Sequence, residues 1–301
     1  MSDQELDVLL ESLRTGGPDL TQPPPQARAA FEAMMADMPV APDIGFHDDS
    51  LAGIPALASS TPQAQDGRTL FYLHGGAYVI GSARAYRGLA AELARAAGAH
   101  GLALDYRLAP EHPFPAAVDD AVAAYRALLD RGAKPGSIVF AGDSAGGGLT
   151  VAALVAARDA GLPMPAAALL LSPWADLECA GGSMSSKAAE DPTLTRDGLV
   201  YMAGLYLGGA AARTPGASPI HADLSGLPPL LIQVGSAEVL LDDAVRLAAA
   251  AGAAGVATQL QVWPRMIHVW HAFAFMLSEG RDAVAEAGAF LERRLASPPV
   301  G

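Results

Sequence analysis

Short apolar runs alternate with Ala-rich helical stretches along most of this chain, and that alternation admits few architectures. Leu70-Phe71-Tyr72-Leu73, Gly101-Leu102-Ala103-Leu104-Asp105, Ser137-Ile138-Val139-Phe140-Ala141, Ala167 to Leu171, Leu230 to Val234 and Gln259 to Trp263 read as strands. Helices are predicted over Tyr86 to Ala97, over Pro115 to Leu129, from near Ala145, over Asp242 to Ala251 and over Asp282 to Leu295, with Gly98 and Gly132 as stops. Strands without a polar face are covered on both sides. Separated by helices, they predict a mostly parallel sheet with helices on both faces. Ile54 to Ala58 fits an early strand of an antiparallel edge.

Two stretches break the alternation. In residues 1–43, Leu6, Leu9, Leu10 and Leu13 recur at helical spacing until Gly16-Gly17-Pro18 stops the helix. A polar, proline-rich stretch through Pro23-Pro24-Pro25 follows, and a second helix then puts Phe31, Met34, Met35 and Met38 on one side. Such a stripe suits a lid, because Met and Phe make an adaptable apolar surface, and it suits ordinary core equally. Between Ser172 and Leu227 no strand is predicted, only two helical fragments around Leu199 to Leu207. An insertion after a strand's C-terminal end lies where open α/β sheets bind ligands. The expected organisation is a sheet domain over 44–171 and 228–301, with 1–43 and 172–227 as a helical cap.

Composition then excludes whole classes. At 301 residues and 51% apolar, the chain can bury a large core, which excludes disorder. Its single cysteine, Cys179, cannot form an internal disulfide or a thiolate metal site. A formal charge of −13 opposes nucleic-acid binding, which needs clustered Lys and Arg. No apolar run reaches the roughly 18 residues of a membrane span. Met1 to Leu10 carries acids where a signal peptide carries basic residues, so a soluble, cytoplasmic enzyme or small-molecule binder is expected.

The chemistry concentrates at two glycine-rich turns. Gly142-Asp143-Ser144-Ala145-Gly146 fits G-x-S-x-G between a strand and a helix, the setting a nucleophile elbow requires. A glycine-rich turn with an incidental serine is the bland alternative. His74-Gly75-Gly76-Ala77-Tyr78 follows another strand, where glycines let backbone N–H groups approach a substrate carbonyl. With the Ala145 amide, donors from Gly75, Gly76 or Ala77 would form an oxyanion hole, each worth roughly 3–4 kcal/mol in a transition state.

A serine hydroxyl needs a histidine to take its proton and an acid to orient that histidine. With this elbow the chain order is serine, acid, histidine. After Ser144 only His221, His268 and His271 remain, and His221 precedes any plausible acid. His268, just after the last strand, is the expected base, with His271 a surface or supporting histidine. Glu238 falls in the loop after Leu230 to Val234 and is the expected acid. Asp242, which an N-cap role also explains, is the alternative, and Asp243 reads as a first-turn acid. Asp143 reads as bonding within the elbow or shaping the acyl pocket. Asp105-Tyr106-Arg107 and Glu111 read as structural ion-pairing groups, and His74 as a loop-fixing one.

The sequence resembles the bacterial hormone-sensitive-lipase-like esterases, the family IV lipolytic enzymes of the α/β-hydrolase superfamily. The resemblance rests on His74 to Tyr78, Asp105 to His112, Gly142 to Gly147, Asp191-Pro192, Gly226 to Pro229, Glu238 to Asp242 and Met266-Ile267-His268. It implies the α/β-hydrolase fold with a helical cap, and Ser144 as nucleophile, His268 as base and Glu238 as acid. It implies an oxyanion hole from Gly75, Gly76, Ala77 and Ala145, with Asp143 and Tyr78 at the substrate. The implied reaction is hydrolysis of short- to medium-chain acyl esters, with no cofactor and no metal. A homodimer through the sheet edge at the last strand is a further expectation of the resemblance.

Two departures stand out. Ala77 replaces the last glycine of His-Gly-Gly-Gly, and Glu238 replaces the usual aspartate, which keeps Asp242 open. A lactone hydrolase or amidase would use the same triad. A non-catalytic ligand receptor, as some plant hormone receptors resemble these esterases, typically lacks the base, and His268 is present.

Overall fold

A computed structural model describes residues 3–16 and 19–296. Met1 and the expected helix stop at Gly17-Pro18 lie outside the described residues. In chain order the elements are α1 (Asp3–Gly16), α2 (Pro24–Ala36), β1 (Gly45–Leu51), β2 (Ile54–Ser60), β3 (Thr69–Leu73), α3 (Arg87–Ala96), β4 (His100–Leu104) and α4 (Ala116–Asp130). They continue with β5 (Ile138–Asp143), α5 (Ala145–Asp159), β6 (Ala167–Leu171), α6 (Ser183–Ser186) and α7 (Arg196–Leu207). The last are β7 (Leu230–Gly235), α8 (Leu241–Ala253), β8 (Thr258–Trp263) and α9 (Ser278–Ala296).

Among the described residues the eight strands form one sheet in the order β1-β2-β4-β3-β5-β6-β7-β8. β1 and β2 run antiparallel, and the pairs from β4 to β8 are parallel. The central strands are apolar on both faces because helices cover both. β5, β6 and β7 are buried at every position. β1 was not expected, and Gly-Phe-His-Asp-Asp-Ser-Leu shows why: it is a largely exposed edge with only Leu51 buried.

Two local readings are corrected. Pro24 and Pro25 open α2 instead of preceding it. A first-turn N–H has no helical partner, so proline loses nothing there. In the insertion, α7 is one twelve-residue helix whose Thr195 hydroxyl accepts from Gly198 N, and a single turn, α6, precedes it. Among the described residues no helix is long and apolar enough to cross a membrane.

Strand register positions the site. Leu73 pairs with Gly142, Asp143 with Leu171, Leu171 with Gln233, and Gly235 with Trp263. The strands therefore end together, and the segments that follow them emerge along one edge of the sheet. Above that edge α2 supplies Phe31 and Met35 to the main core. α1 packs Leu6, Leu9 and Leu13 against Met266, Ile267, Trp270 and Leu277 in a separate apolar cluster.

Candidate active site

β5 stops at Asp143 and α5 begins at Ala145, so the single residue between them takes the whole change of direction. Ser144 does so at φ 51° and ψ −122°, a conformation costing a side chain about 1–3 kcal/mol. The turn closes because Gly142 has no side chain: a Cβ there would run into Gly146 O. Ser144 N donates to Leu171 O at 2.9 Å, and Ser144 O accepts from Gly147, Gly148 and Trp174.

The turn after β3 lies beside this elbow. His74 is buried, with its ring against Tyr106 (centroids 4.3 Å apart) and Tyr86, and its Nδ1 is 2.7 Å from Gly75 O. It fixes the loop. Gly75, expected to face the substrate, instead donates its N–H to Asp143 Oδ1 at 2.8 Å, so that amide is engaged. The N–H groups of Gly76, Ala77 and Ala145 have no acceptor among the described residues, as is general for the first residue of a helix such as Ala145.

Asp143 is fully buried, and its Oδ1 also accepts from Tyr72 Oη at 2.6 Å. Burial raises its carboxyl to about 6, against the opposing pull of Tyr72, the His268 charge and the Gly75 amide. Its partners lie outside the elbow, so it ties the elbow to β3 and the turn after it instead of bonding within the elbow, and it does not line the cavity described below. Tyr78 does not line it either: its ring stacks on Tyr206 of α7, centroids 3.8 Å apart.

The loops after β7 and β8 meet. A Cβ on Gly235 would overlap Met266 O, and Ala237 N donates to Met266 O at 3.0 Å. This brings Glu238 Oε2 to 3.6 Å from His268 Nδ1. Glu238 is fully buried, and its Oε2 accepts from Ser172 Oγ at 2.9 Å. Ser172 Oγ in turn accepts from Val269 N at 3.1 Å, so one hydroxyl joins the acid to the histidine loop. Asp191 fixes the acid loop from the insertion, where its Oδ2 accepts from Val239 N at 2.9 Å.

Burial pushes the Glu238 carboxyl up, against the neighbouring His268 and the bond from Ser172. Burial alone would depress His268. The Glu238 carboxylate beside it outweighs that with help from Asp191 and Asp143, and holds His268 above its ordinary value.

Asp242 and Asp243 face elsewhere. Asp242 Oδ2 accepts from Ser183 N at 3.0 Å, and Asp243 Oδ2 accepts from Ala175 and Asp176 N at 2.9 Å each. His271 is 1% exposed, with Nε2 3.0 Å from Gln233 Oε1, so the surface reading of this histidine is corrected. Ser172 escaped the sequence reading. The available signal was its place directly after the buried strand β6. Asp176, Glu178 and His221 cluster in the insertion, where Arg246 (2.7 Å) and Arg213 (3.0 Å) already balance the two acids.

Ser144, His268, Gly76 and Ala77 all line one cavity of about 100 Å³. Its other walls are apolar and come from α2, α7 and the segment after His268, through residues such as Phe31, Met35, Leu199 and Phe273. No hydrogen bond joins Ser144 Oγ to His268 among the described residues; such bonds are often long until a substrate binds.

Residues 70–272 match a family model described as the alpha/beta hydrolase fold. An acetyl-hydrolase of Streptomyces hygroscopicus is 58% identical over 230 residues, covering 76% of this chain and 77% of the relative. An esterase of Acinetobacter venetianus is 32% identical over 94% of this chain and 93% of its own length. A crystal structure of an esterase from the bacterial hormone-sensitive lipase family superposes with a TM-score of 0.94 at 48% identity, covering 98% of this chain and all of the other. With that match, that identity and that superposition, the chain belongs to the α/β-hydrolase fold family, in its bacterial hormone-sensitive-lipase branch.

Proposed function

We propose that the chain is a serine carboxylesterase acting on short-chain acyl esters through an acyl-enzyme on Ser144. The observation that carries this reading is the meeting of a strained serine, unengaged amides and a carboxylate-backed histidine around one small apolar cavity. His268 takes the proton from Ser144 Oγ as the oxygen attacks the ester carbonyl. The Gly76, Ala77 and Ala145 amides hold the developing oxyanion, and Glu238 stabilises the imidazolium. His268 then protonates the departing alcohol. It next deprotonates the water that releases the acid and frees Ser144.

The cavity size supports a short acyl group. An apolar cavity of about 150 Å³ holds a benzene-sized guest, so about 100 Å³ suits acetyl to butyryl. The acetyl-hydrolase and esterase relatives support the same class. Ser144→Ala should abolish p-nitrophenyl butyrate hydrolysis with an unchanged thermal unfolding midpoint. Retention of most activity would sink the mechanism.

A further inference from the structure

A second hollow adjoins the cavity at Ser144. It holds about 520 Å³, and Met35, Met38 and Ala272 belong to the walls of both. Those residues therefore lie between the two spaces. Met34 lines the smaller one alone, and Leu89 of α3 and Val284 of α9 line the larger one alone. Ala272 offers only a methyl group, so the long side chains of the partition are those of the two methionines. Met35 sits in the last turn of α2, 5% exposed, and Met38 follows two residues after the helix ends. A methionine is unbranched and fills an irregular gap without being locked in one shape.

The larger space suits an aliphatic chain. Sites for small ligands span roughly 300–1,000 Å³, so it has the room. Its charged side chains are already engaged: Arg95 pairs with Asp43 and Glu92, and Arg281 donates to Ala274 O. A charged guest would lose its hydration unpaired there, whereas methylene groups need no polar partner. Such a chain has a source next door. An acyl group on Ser144 begins in the cavity of about 100 Å³, which suits acetyl to butyryl, and a longer one has to leave that cavity. The shared wall makes the hollow the adjoining apolar space.

Resting on the esterase reading, we propose that Met35 and Met38 determine acyl-chain length. They end the acyl cavity after a short chain. The hollow behind them receives the distal methylenes of a medium-chain acyl group once either side chain is shortened. The partition, and not the chemistry at Ser144, then sets the preference for short esters.

The ratio of kcat/KM for p-nitrophenyl octanoate to that for p-nitrophenyl butyrate tests this. Both substrates are read on one sample, so partial unfolding of a variant lowers both rates and leaves the ratio alone. Wild type should favour butyrate. Each methylene buried in the hollow strengthens transition-state binding about fourfold, less the cost of ordering the chain, so Met38→Ala should raise the ratio at least about tenfold. Met35→Ala should move it in the same direction. Gly88 of α3 lines the hollow and not the cavity at Ser144. A Cβ there meets Pro39 O and Val40 at ordinary 3.6 Å contacts, so Gly88→Leu fills the hollow and should cancel the gain of Met38→Ala.

A rise below about tenfold in Met38→Ala overturns the proposal, as does a gain that survives Gly88→Leu or a wild type that already favours octanoate. A matching gain for octyl acetate over butyl acetate would put the alcohol chain in the hollow and overturn it too. If none of these esters is hydrolysed, the esterase reading fails and this inference with it. Hydrolysis with an unmoved ratio refutes the inference alone.

Discussion

Glu238→Gln removes one charge and almost no volume from the centre of the site. In the proposed mechanism His268 becomes an imidazolium, 3.6 Å from the Glu238 carboxylate, as Ser144 gives up its proton. Unit charges at that distance, at an effective dielectric constant of about 20, attract by about 4–5 kcal/mol, or about three orders of magnitude in rate. The pH profile adds a sign. His268 is held above its ordinary value, so the neutral base is lost, and activity with it, as pH falls through a midpoint above 6.5. Without the carboxylate, burial is opposed by the lesser pull of Asp191 and Asp143, and the imidazole titrates lower. The variant should therefore lose about a thousandfold in kcat while the acid limb of kcat/KM moves to lower pH. Hydrolysis of p-nitrophenyl butyrate from about pH 5 to 9 measures both. Simple misfolding lowers the rate without moving the limb. A loss under about tenfold, or a limb that stays in place, refutes the assignment. So does greater damage from Asp242→Asn, whose carboxylate serves Ser183 N.

Ser172→Ala leaves Glu238 Oε2 and Val269 N without their shared hydroxyl. A hydrogen bond to a charged group contributes about 1.5–3 kcal/mol. The unfolding midpoint should therefore drop and kcat fall at least about tenfold with KM little changed; an intact kcat would remove Ser172 from the positioning of the acid. Arg28 on α2 donates to Val79 O and Ala109 O at 2.8 Å each and grips Glu111. Arg28→Met should raise KM several-fold with kcat nearly unchanged, because α2 carries much of the cavity wall; a fall confined to kcat would refute that. Its exposed partner Glu111 matters less. Arg28 holds Glu111 down at about 2, so the pair persists above the ordinary carboxylate range and is lost only as pH falls through about 2.

What the sequence revealed follows from where the information lies. The strands β3 to β7 were legible because covering both faces forces near-continuous apolar runs, and the edge strand β8 because Leu260 and Val262 alternate with Gln259 and Gln261. β1, an edge with Asp48, Asp49 and Ser50 in the open, carries no such pressure. The positions of Ser144, His268 and Glu238 were readable because each lies in the segment that immediately follows a strand, Ser144 directly after β5 and the others within a few residues of β7 and β8. Contacts across the fold were not. Nothing near Gly75 in sequence says that its amide meets Asp143, 68 residues on. Nothing near Tyr78 announces Tyr206, and nothing near His271 announces Gln233. Ser172 looked like the start of an insertion, and its role exists only because its hydroxyl, just past the end of β6, meets both the acid loop and the histidine loop.

The packing of α1 has a consequence for synthesis. Leu6, Leu9 and Leu13 cover Met266, Ile267, Trp270 and Leu277, partners that leave the ribosome some 250 residues later. At about 5–20 residues per second, the apolar face of this helix waits about 13–50 s for them. During that interval α1 has no lasting place to bury its leucines, and the loop bearing His268 does not yet exist. Closure of the cavity at Ser144 is therefore a late event in the life of the nascent chain, set by the arrival of residues 266–277.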